Sequence, residues 1–291
     1  MTGGRNKYLI TSLVLMVTAI WGGSFVVMKD ALVRMDVNSF LGWRFMIATL
    51  LLIAMRPKTL KHFNKKFLLK GVVVGSLLGS GYIFQTFGLT QTTVAKTGFI
   101  TGLYAVFTPL LAAGLFKKQV SRVQWAATAL AFAGLAMLSF KGFSLGIGES
   151  LVLVSALLFA GHIIALGEWS SGMDTYALTV VQMASVSAIS FIASLTTKTE
   201  APHDAGVWKA ILFTAVFASA FAFLIQTWTQ SFMAPTAIGI LLTMEYIFAA
   251  LFGVIFGHEH LGLRTLIGGS LVIVALVVII RSEEPATEVA A

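Results

Sequence analysis

Long uninterrupted apolar runs are the feature that most limits what this chain can fold into. The 291-residue sequence groups its apolar residues into runs of about 18 to 23, the length that an α-helix needs to cross a hydrocarbon layer of ~30 Å. Only 11% of the residues are charged, whereas a soluble domain carries roughly 25%. Runs such as 267–280 do not alternate, unlike the strands of a transmembrane barrel. The pattern therefore predicts an all-α integral membrane protein.

Ten spanning helices are predicted from the polar, glycine-containing and charged breaks between the runs. The first run lacks a cleavage pattern and is too long for a signal peptide, so it is expected to remain as the first span. The connecting loops are short, which places function among the helices. The predicted spans are approximately 8–28, 38–55, 68–89, 95–116, 122–140, 147–167, 175–195, 208–230, 234–256 and 262–281. Residues 282–291 are expected to form a disordered tail.

Lysine and arginine positions predict the orientation, because these residues are in excess on the cytoplasmic side of membrane proteins. With the N-terminus inside, that side collects 12 of them, against seven on the other side. The first group comprises Arg5, Lys7, Arg56, Lys58, Lys61, Lys65, Lys66, Lys70, Lys117, Lys118, Arg122 and Arg281, and the second comprises Lys29, Arg34, Lys96, Lys141, Lys198, Lys209 and Arg264. Both termini are therefore expected in the cytoplasm. The net charge of +8 is explained by topology and lipid headgroups, and no nucleic-acid partner is expected.

The second half of the sequence repeats the pattern of the first. The stretch around Gln85 aligns with the stretch around Gln226, 141 positions later, and the same spacing pairs spans 3, 4 and 5 with spans 8, 9 and 10. Five spans in each half reverse the direction of the second copy across the membrane. The sequence thus predicts two inverted five-helix repeats, residues 1–141 and 142–281, with a shared site near the bilayer midplane and alternating access to it.

Four stretches resemble the EamA-type transporters of the drug/metabolite transporter superfamily. They are AIWGGSFVVMKDAL (Ala19–Leu32), GWRFMIATLLL (Gly42–Leu52), AKTGFITGLYAVFTPLLAAGLF (Ala95–Phe116) and MEYIFAALFGVIFGHEHL (Met244–Leu261). In the last stretch, Tyr246 stands where the family usually has proline. The resemblance implies ten helices in two inverted repeats, and export or exchange of small metabolites, often amino acids, across the bacterial inner membrane.

Two ionisable residues lie deep inside predicted spans, and such groups are unfavourable in lipid unless they are paired or face water. Glu245 lies near the midplane, where it would meet a substrate ammonium, take up a proton, or form a structural hydrogen bond to a neighbouring helix. Arg44 lies about six residues from the outer end of span 2. It would bind a substrate carboxylate with both arms of its guanidinium, extend to the headgroups, or close an internal ion pair.

Polar and aromatic residues follow one face of spans 1 to 4 and 6 to 9, and they predict a cavity from which spans 5 and 10 are excluded. The candidate substrate-binding residues, with Arg44 and Glu245, are Trp21, Trp43, Tyr82, Gln85, Phe99, Thr101, Tyr104, His162, Gln182, Gln226, Trp228 and Tyr246. Their aromatic members favour an aromatic or bulky apolar solute. Each one alone is equally explained by helix packing, and His162 by a single hydrogen bond. Pro109 and Pro235 are candidate flexible points.

The main functional hypothesis is a secondary transporter that exports or exchanges small metabolites, with amino acids favoured. The sequence contains no phosphate-binding loop of the kind that ends in Gly-Lys-Ser or Gly-Lys-Thr, so a gradient would supply the energy. No cofactor, metal or catalytic activity is expected. The expected partners are a small-molecule substrate, the lipid bilayer and, as a coupling ion, protons. The alternatives are a membrane-embedded enzyme that acts on lipid through Glu245 and His162, and a passive channel.

Overall fold

Helices form the regular structure of this chain. The structure, a computed structural model, describes residues 3–92, 94–115, 117, 119–139, 146–257 and 263–282, and within these ranges it contains no β-strand. The helices are α1 (Gly3–Arg34), α2 (Val37–Met55), α3 (Lys65–Gln91), α4 (Val94–Gly102), α5 (Tyr104–Gly114), α6 (Arg122–Ser139), α7 (Ile147–Ser170), α8 (Thr175–Ser194), α9 (Ala205–Phe213), α10 (Ala222–Gln230), α11 (Pro235–Leu242), α12 (Met244–Gly257) and α13 (Leu263–Ser282). The predicted repeat boundary at 141/142 and the tail beyond residue 282 lie outside the described residues.

Six helical stretches in the described ranges are long and apolar enough to cross a membrane. Between α9 and α10 the chain continues as a π-helix, Thr214–Phe221, so these elements form one stretch. The six are Tyr8–Arg34, Val37–Met55, Lys65–Gln91, Ile147–Ser170, Thr175–Ser194 and Ala205–Gln230. They correspond to predicted spans 1, 2, 3, 6, 7 and 8.

Predicted spans 4 and 9 are each divided into two helices. The first break is at Leu103, whose N–H donates to the Ile100 carbonyl at 3.2 Å, three residues back instead of four, so the turn is tightened. The second is at Thr243, whose N–H and hydroxyl both donate to the Ile240 carbonyl, at 3.1 and 2.6 Å. A hydroxyl bond of this kind competes with the regular helical ladder. The two halves thus carry a broken helix at corresponding places.

Polarity is inverted relative to a soluble protein. Large apolar side chains such as Leu50, Leu69 and Ile192 are exposed, whereas Gln182 and Thr179 are fully buried. A polar group in hydrocarbon lacks water to bond with, so polar side chains turn inward and the outer surface is left apolar. This distribution is the one expected for a helical bundle in lipid.

The helices α2 and α8 are antiparallel neighbours. Asp36 caps α2 by accepting from the Ser39 N–H at 2.9 Å, and Asp174 caps α8 by accepting from the Ala177 N–H at 2.8 Å. Near the start of α2, the Ser39 hydroxyl donates at 2.8 Å to the Lys198 carbonyl, which follows α8. Near the start of α8, the Tyr176 hydroxyl donates at 2.7 Å to the Leu52 carbonyl near the end of α2. The two helices therefore begin at opposite ends of the bundle.

Glycines allow the closest helix contacts. On α3, a Cβ atom added at Gly75 would lie 2.6 Å from the Ser185 Cβ on α8, and on α6 one added at Gly134 would lie 2.6 Å from the Gly268 carbonyl oxygen on α13. Small residues of this kind let helix backbones approach and gain van der Waals contact, which drives helix association in lipid. The helices α6 and α13 pack against each other and lie beside α4, α5, α11 and α12.

Ion pairs join the two halves at both ends of the bundle. We call the end of the bundle at which α2 begins the Asp204 end. There, Arg34 Nη1 lies 2.6 Å from Asp204 Oδ1. We call the opposite end, at which α2 ends, the Asp174 end. There, Arg56 Nη2 lies 3.0 Å from Asp174 Oδ2, and His62 Nε2 lies 3.6 Å from the same oxygen. Each pair is partly exposed, so each contributes little to stability.

The Gly75 contact generates a stability prediction. Gly75→Ala forces the new Cβ against Ser185 and the Gln182 backbone, so we expect destabilisation by ~1–3 kcal/mol and a lower Tm of the purified protein in detergent. Gly161→Ala is the matched control, because its Cβ would meet only Leu77, at 3.7 Å, and alanine favours the helix by ~0.5–1 kcal/mol. Equal Tm values for the two variants would contradict the close packing.

The Asp174 end has an expected pH dependence. Partial burial acts to raise the pKa of Asp174, but the hydrogen bond from Ala177 and the nearby Arg56 guanidinium outweigh it and hold that pKa below its ordinary value. Its stabilisation is therefore complete above the unfolded pKa of ~3.9 and is lost as the pH falls through the lower folded pKa. Asp174→Asn keeps a capping oxygen and loses the charge.

We expect the Tm advantage of the wild type over Asp174→Asn to shrink between pH 6 and pH 3. Thermal denaturation of both proteins across this range measures the difference. A constant Tm difference would show that the charge of Asp174 contributes nothing.

Candidate substrate cavity

Both helix breaks border one internal cavity of about 50 Å³. Its walls come from helices of both halves, and among the described residues α6, α8 and α13 contribute no lining side chain. The lining residues are Trp21, Ser24, Phe25, Met28, Arg44, Leu78, Tyr82, Gln85, Thr101, Tyr104, Phe159, His162, Ile163, Phe223, Gln226, Leu242 and Glu245. The two sequence-predicted outer spans, 5 and 10, correspond to α6 and α13.

The cavity is small in this conformation. A water molecule requires ~10–15 Å³, so about 50 Å³ holds a few waters, whereas pockets for small ligands measure ~300–1,000 Å³. Binding of a solute the size of an amino acid therefore requires the surrounding helices to move apart.

Positions that the spacing of 141 residues pairs both contribute to the cavity wall. At the spacing of 141 residues, Gln85 corresponds to Gln226 and Tyr104 to Glu245, and all four side chains line the wall. Tyr82 and Phe223 form another such pair, and so do Thr101 and Leu242. Both halves thus contribute to the wall from the same places in their helices, although the chemical groups differ.

Arg44 is held by the protein itself. It is 1% exposed, and Nε donates to Ser219 Oγ at 2.7 Å, Nη2 to the Ala218 carbonyl at 3.3 Å, and Nη1 contacts Met28 Sδ at 3.1 Å. Its Cζ atom also lies 5.1 Å from the centre of the Tyr82 ring, a favourable cation–π position. Burial rules out extension to the headgroups, and Arg44 forms no ion pair within the described ranges.

The Arg44 contacts converge on the π-helical segment. Ser219 and Ala218 belong to that segment, and the Ala218 carbonyl also accepts from Trp21 Nε1 at 2.8 Å. A π-helical turn bonds to the fifth residue back, as Ala222 N–H does to Phe217, which disturbs the regular ladder. Such segments occur frequently at functional sites. Side chains of α1 and α2 therefore stabilise the irregular part of the α9–α10 stretch beside the cavity.

Glu245 is the acidic side chain among the described lining residues. It is 7% exposed, it opens α12 directly after the Thr243 break, and it interacts electrostatically with Arg44. A carboxylate in this position can accept hydrogen bonds from a bound solute. It is the lining group best suited to a positively charged partner.

His162 belongs to a buried polar chain on the opposite wall. Its Nε2 lies 2.9 Å from Gln182 Oε1, and Gln182 Nε2 donates to Thr227 Oγ1 at 3.1 Å. Gln182 is therefore a neighbour that positions a lining residue and is not itself part of the wall. On the other side, Gln85 Nε2 donates to Thr101 Oγ1 at 3.1 Å and links α3 to α4.

Aromatic rings cover one side of the cavity. The rings of Trp21 and Phe223 are 5.2 Å apart, those of Tyr82 and Phe159 are 5.4 Å apart, and those of Tyr82 and Phe223 are 6.0 Å apart. Contacts at these distances and at tilted angles are favourable beyond simple burial. The wall can therefore receive an apolar group, or a cation that lies over the face of a ring.

Three predicted aromatic residues lie away from the cavity. Trp43 Nε1 donates to the Glu200 carbonyl at 2.9 Å near the Asp204 end, and Trp228 is 39% exposed beside Phe232. Tyr246 is buried against Gly98 and is absent from the described lining. All three correct the expectation of a direct wall position. The side chain of Phe99 lies outside the described part of the chain.

The predicted set also omitted several lining residues. Phe223 and Leu242 were recoverable from the sequence, because the repeat spacing pairs them with Tyr82 and Thr101. Apolar residues such as Leu78 and Ile163 carry no signal that distinguishes a cavity wall from ordinary packing. Within the described ranges, no cluster of three or more His, Cys, Asp or Glu side chains is arranged to hold a metal ion.

A helical bundle with an apolar exterior and a polar, aromatic chamber between its halves defines a membrane transporter. The model of the EamA-like transporter family matches this chain twice, over residues 9–140 and 146–281. The chain therefore belongs to the EamA-like transporter family. The two matches correspond to the two halves that line the cavity.

Relatives and a solved structure agree with this assignment. An uncharacterized transporter from Archaeoglobus fulgidus is 31% identical over 278 residues, which cover 95% of this chain and 87% of that protein. A second uncharacterized transporter from the same organism is 25% identical and covers 87% of this chain and 91% of its own length. A crystal structure matches with a TM-score of 0.78 over 93% of this chain and 96% of that one. Its 15% identity limits the likeness to the fold.

The Arg44 contacts predict a stability effect. Arg44→Lys loses the separate bonds to Ser219 and Ala218, because one ammonium group cannot reproduce the guanidinium geometry. Hydrogen bonds to charged groups contribute ~1.5–3 kcal/mol each, so we expect a clear fall in Tm of the purified protein. An unchanged Tm, together with weaker solute binding, would show that Arg44 binds the solute directly.

Proposed function

We propose that this chain is a secondary transporter that exports or exchanges small metabolites by alternating access. The favoured substrates are amino acids with aromatic or bulky apolar side chains. The observation that carries the proposal is the cavity itself, to which equivalent positions such as Gln85 and Gln226 contribute from opposite halves. A site shared by two related halves can be exposed to either side when the halves rock against each other.

Two inverted repeats, residues 1–141 and 142–281, are the proposed architecture. Support comes from the separate family matches to each half, from the opposite directions of α2 and α8, and from the helix breaks at Leu103 and Thr243. Broken helices in corresponding positions are typical of transporters whose binding site lies near the midplane. The expected ten spans would include the divided helices α4–α5 and α11–α12.

Ion pairs at both ends of the bundle support a rocking mechanism. The Arg34–Asp204 pair and the Arg56–Asp174 pair each connect the first half to the second, and the cavity of about 50 Å³ is too small for an amino acid. Each pair is weak and partly exposed, so either can open without a large change in energy. We propose that solute reaches the cavity after one pair opens while the other remains intact.

The chemistry of the wall supports the substrate class. Glu245 offers a negative charge for an ammonium group, and the rings of Trp21, Tyr82, Phe159 and Phe223 surround space that an apolar side chain would occupy. The chain would lie in the bacterial inner membrane with both termini in the cytoplasm, as the lysine and arginine distribution predicts. The Asp174 end would then face the cytoplasm.

Counterflow in liposomes tests the function. Purified protein is reconstituted, loaded in turn with each of the twenty amino acids, and assayed for exchange of the labelled compound with and without a pH gradient. Saturable counterflow supports a carrier. Unsaturable flux would indicate a channel, and covalent turnover of lipid would indicate an enzyme. Dependence on the pH gradient would identify protons as the coupling ion.

Glu245→Gln should lower the counterflow rate about tenfold or more, because an amide cannot supply the charge that strengthens the bond to an ammonium group. Initial rates measured between pH 5 and pH 9 give both the loss and any change in pH dependence. Glu168→Gln, at an exposed position near the end of α7, is the matched control. An unchanged rate and an unchanged pH profile would exclude Glu245 from the mechanism.

A further inference from the structure

Two glutamines of α10 connect the cavity wall to the backbone of α7. Gln230 Nε2 donates to the Ile163 carbonyl at 2.9 Å. Because a carbonyl oxygen only accepts, this bond fixes the orientation of the Gln230 amide. Its Oε1 then accepts from Gln226 Nε2 at 2.9 Å, so the orientation of the Gln226 amide is fixed as well.

Gln226 Oε1 is left as an unsatisfied acceptor. Gln226 is 4% exposed and lines the cavity, and its Oε1 atom has no hydrogen-bond partner among the described residues. A buried acceptor without a partner is unfavourable, and most such groups in proteins are satisfied. A donor that occupies the cavity would satisfy this acceptor.

Two further oxygen-bearing groups border the same space. The Tyr104 and Glu245 side chains both line the cavity, and the Tyr104 hydroxyl interacts with the hydroxyl of Tyr246 behind the wall. An ionised carboxylate and an amide oxygen only accept hydrogen bonds, and a phenol can accept as well. Three acceptors around about 50 Å³ are arranged for one compact group with several N–H donors.

The positive charge of Arg44 is committed elsewhere. Each of its three nitrogen atoms has a protein partner, and two of these partners belong to the π-helical segment. Three of its five N–H groups are engaged in these contacts, so a substrate carboxylate would have to share the guanidinium with them. Arg44 is therefore a positioning residue for the wall, and the proposed mode of binding does not depend on a carboxylate contact to it.

We propose that the cavity recognises the ammonium group of a primary amine through Glu245, Gln226 and Tyr104, and that a carboxylate on the solute is dispensable. The inference rests on the proposed transport function and specifies its substrate class. A primary ammonium has three N–H donors, one for each acceptor. The Trp21 ring lines the same space and would add cation–π attraction. Amines that lack a carboxylate should therefore bind as amino acids do.

Matched probe series test this selectivity by thermal stabilisation of the purified full-length protein in detergent, because a ligand that binds the folded state raises its Tm. Each series pairs an amino acid with its decarboxylated amine and its deaminated acid. The series are phenylalanine, 2-phenylethylamine and 3-phenylpropionate; leucine, 3-methylbutylamine and 4-methylpentanoate; and alanine, ethylamine and propionate. In at least one series we expect the amine and the amino acid to stabilise within about tenfold in concentration, and the acid to have no effect.

Variants connect the effect to the cavity. Gln226→Met removes the free acceptor at similar volume and should weaken amine binding about 10- to 100-fold, the value of one hydrogen bond to a charged group. Glu245→Gln should weaken it at least as much. Gln124→Met, on α6 and away from the cavity, is the control and should bind like the wild type. If Gln226→Met does not fold, Tyr104→Phe tests the third acceptor with a smaller expected loss.

The outcomes separate this inference from the transport proposal. Stabilisation by an acid equal to that by its amine, stabilisation by amino acids alone, or no stabilisation by any amine would overturn the ammonium site. Amine binding that is lost in Gln226→Met, without counterflow of any amino acid, would retain the site and reject the proposed function. Counterflow of an amino acid that its acid and its amine inhibit equally would retain the proposed function and reject the ammonium site.

Discussion

A polar group inside a hydrocarbon layer must find its partner within the protein or face an enclosed space, because lipid offers neither donor nor acceptor. This constraint accounts for the arrangement of the chain. Apolar side chains such as Leu69 and Ile192 cover the outside, and buried polar groups bond across helices, as Gln182 does to Thr227. One acceptor without a partner among the described residues, Gln226 Oε1, belongs to a residue that lines the cavity. The buried polar groups thus both link the helices and line the cavity.

Irregular helices surround that interior. The breaks at Leu103 and Thr243 and the π-helical segment Thr214–Phe221 all adjoin cavity residues. Irregular backbone at membrane depth is tolerated only where protein or a water-filled cavity surrounds it. In this protein, Trp21 and Arg44 supply the missing donors to the Ala218 carbonyl. The cavity and the irregular helices therefore occur together in the structure.

Sequence reasoning recovered the features that periodicity and burial cost determine. An apolar run of spanning length has few alternatives, and Gln85 and Gln226 were paired by the repeat before any coordinates. Glu245 was identified by its depth alone. Trp43 and Trp228 were misassigned because a tryptophan in a span has the same pattern whether it faces the wall or the lipid. Pro109 and Pro235 are candidate flexible points in the sequence, whereas the helix breaks occur at Leu103 and Thr243, where local turns tighten. Pro235 begins α11, where its missing N–H is harmless.

The partners of Arg44 were also beyond sequence reasoning, since Ser219 and Ala218 lie about 175 positions away along the chain. Its three candidate roles could be distinguished only by the contacts themselves. Burial excluded the headgroups, and the π-helical segment accounted for the donors. A charge that is fixed in this way shapes the wall of the cavity.

Alternating access of one cavity between two halves is the central claim, and cysteine labelling tests it most directly. The chain contains no cysteine, so Ser24→Cys places a single thiol on the cavity wall. A membrane-impermeant thiol reagent is applied to right-side-out and inside-out vesicles, with and without a transported solute. Alternating access predicts that the thiol is labelled from both sides. A condition that raises the labelling rate from one side should lower the rate from the other. Labelling from one side only under every condition, or equal and unlinked rates from both sides, would contradict it.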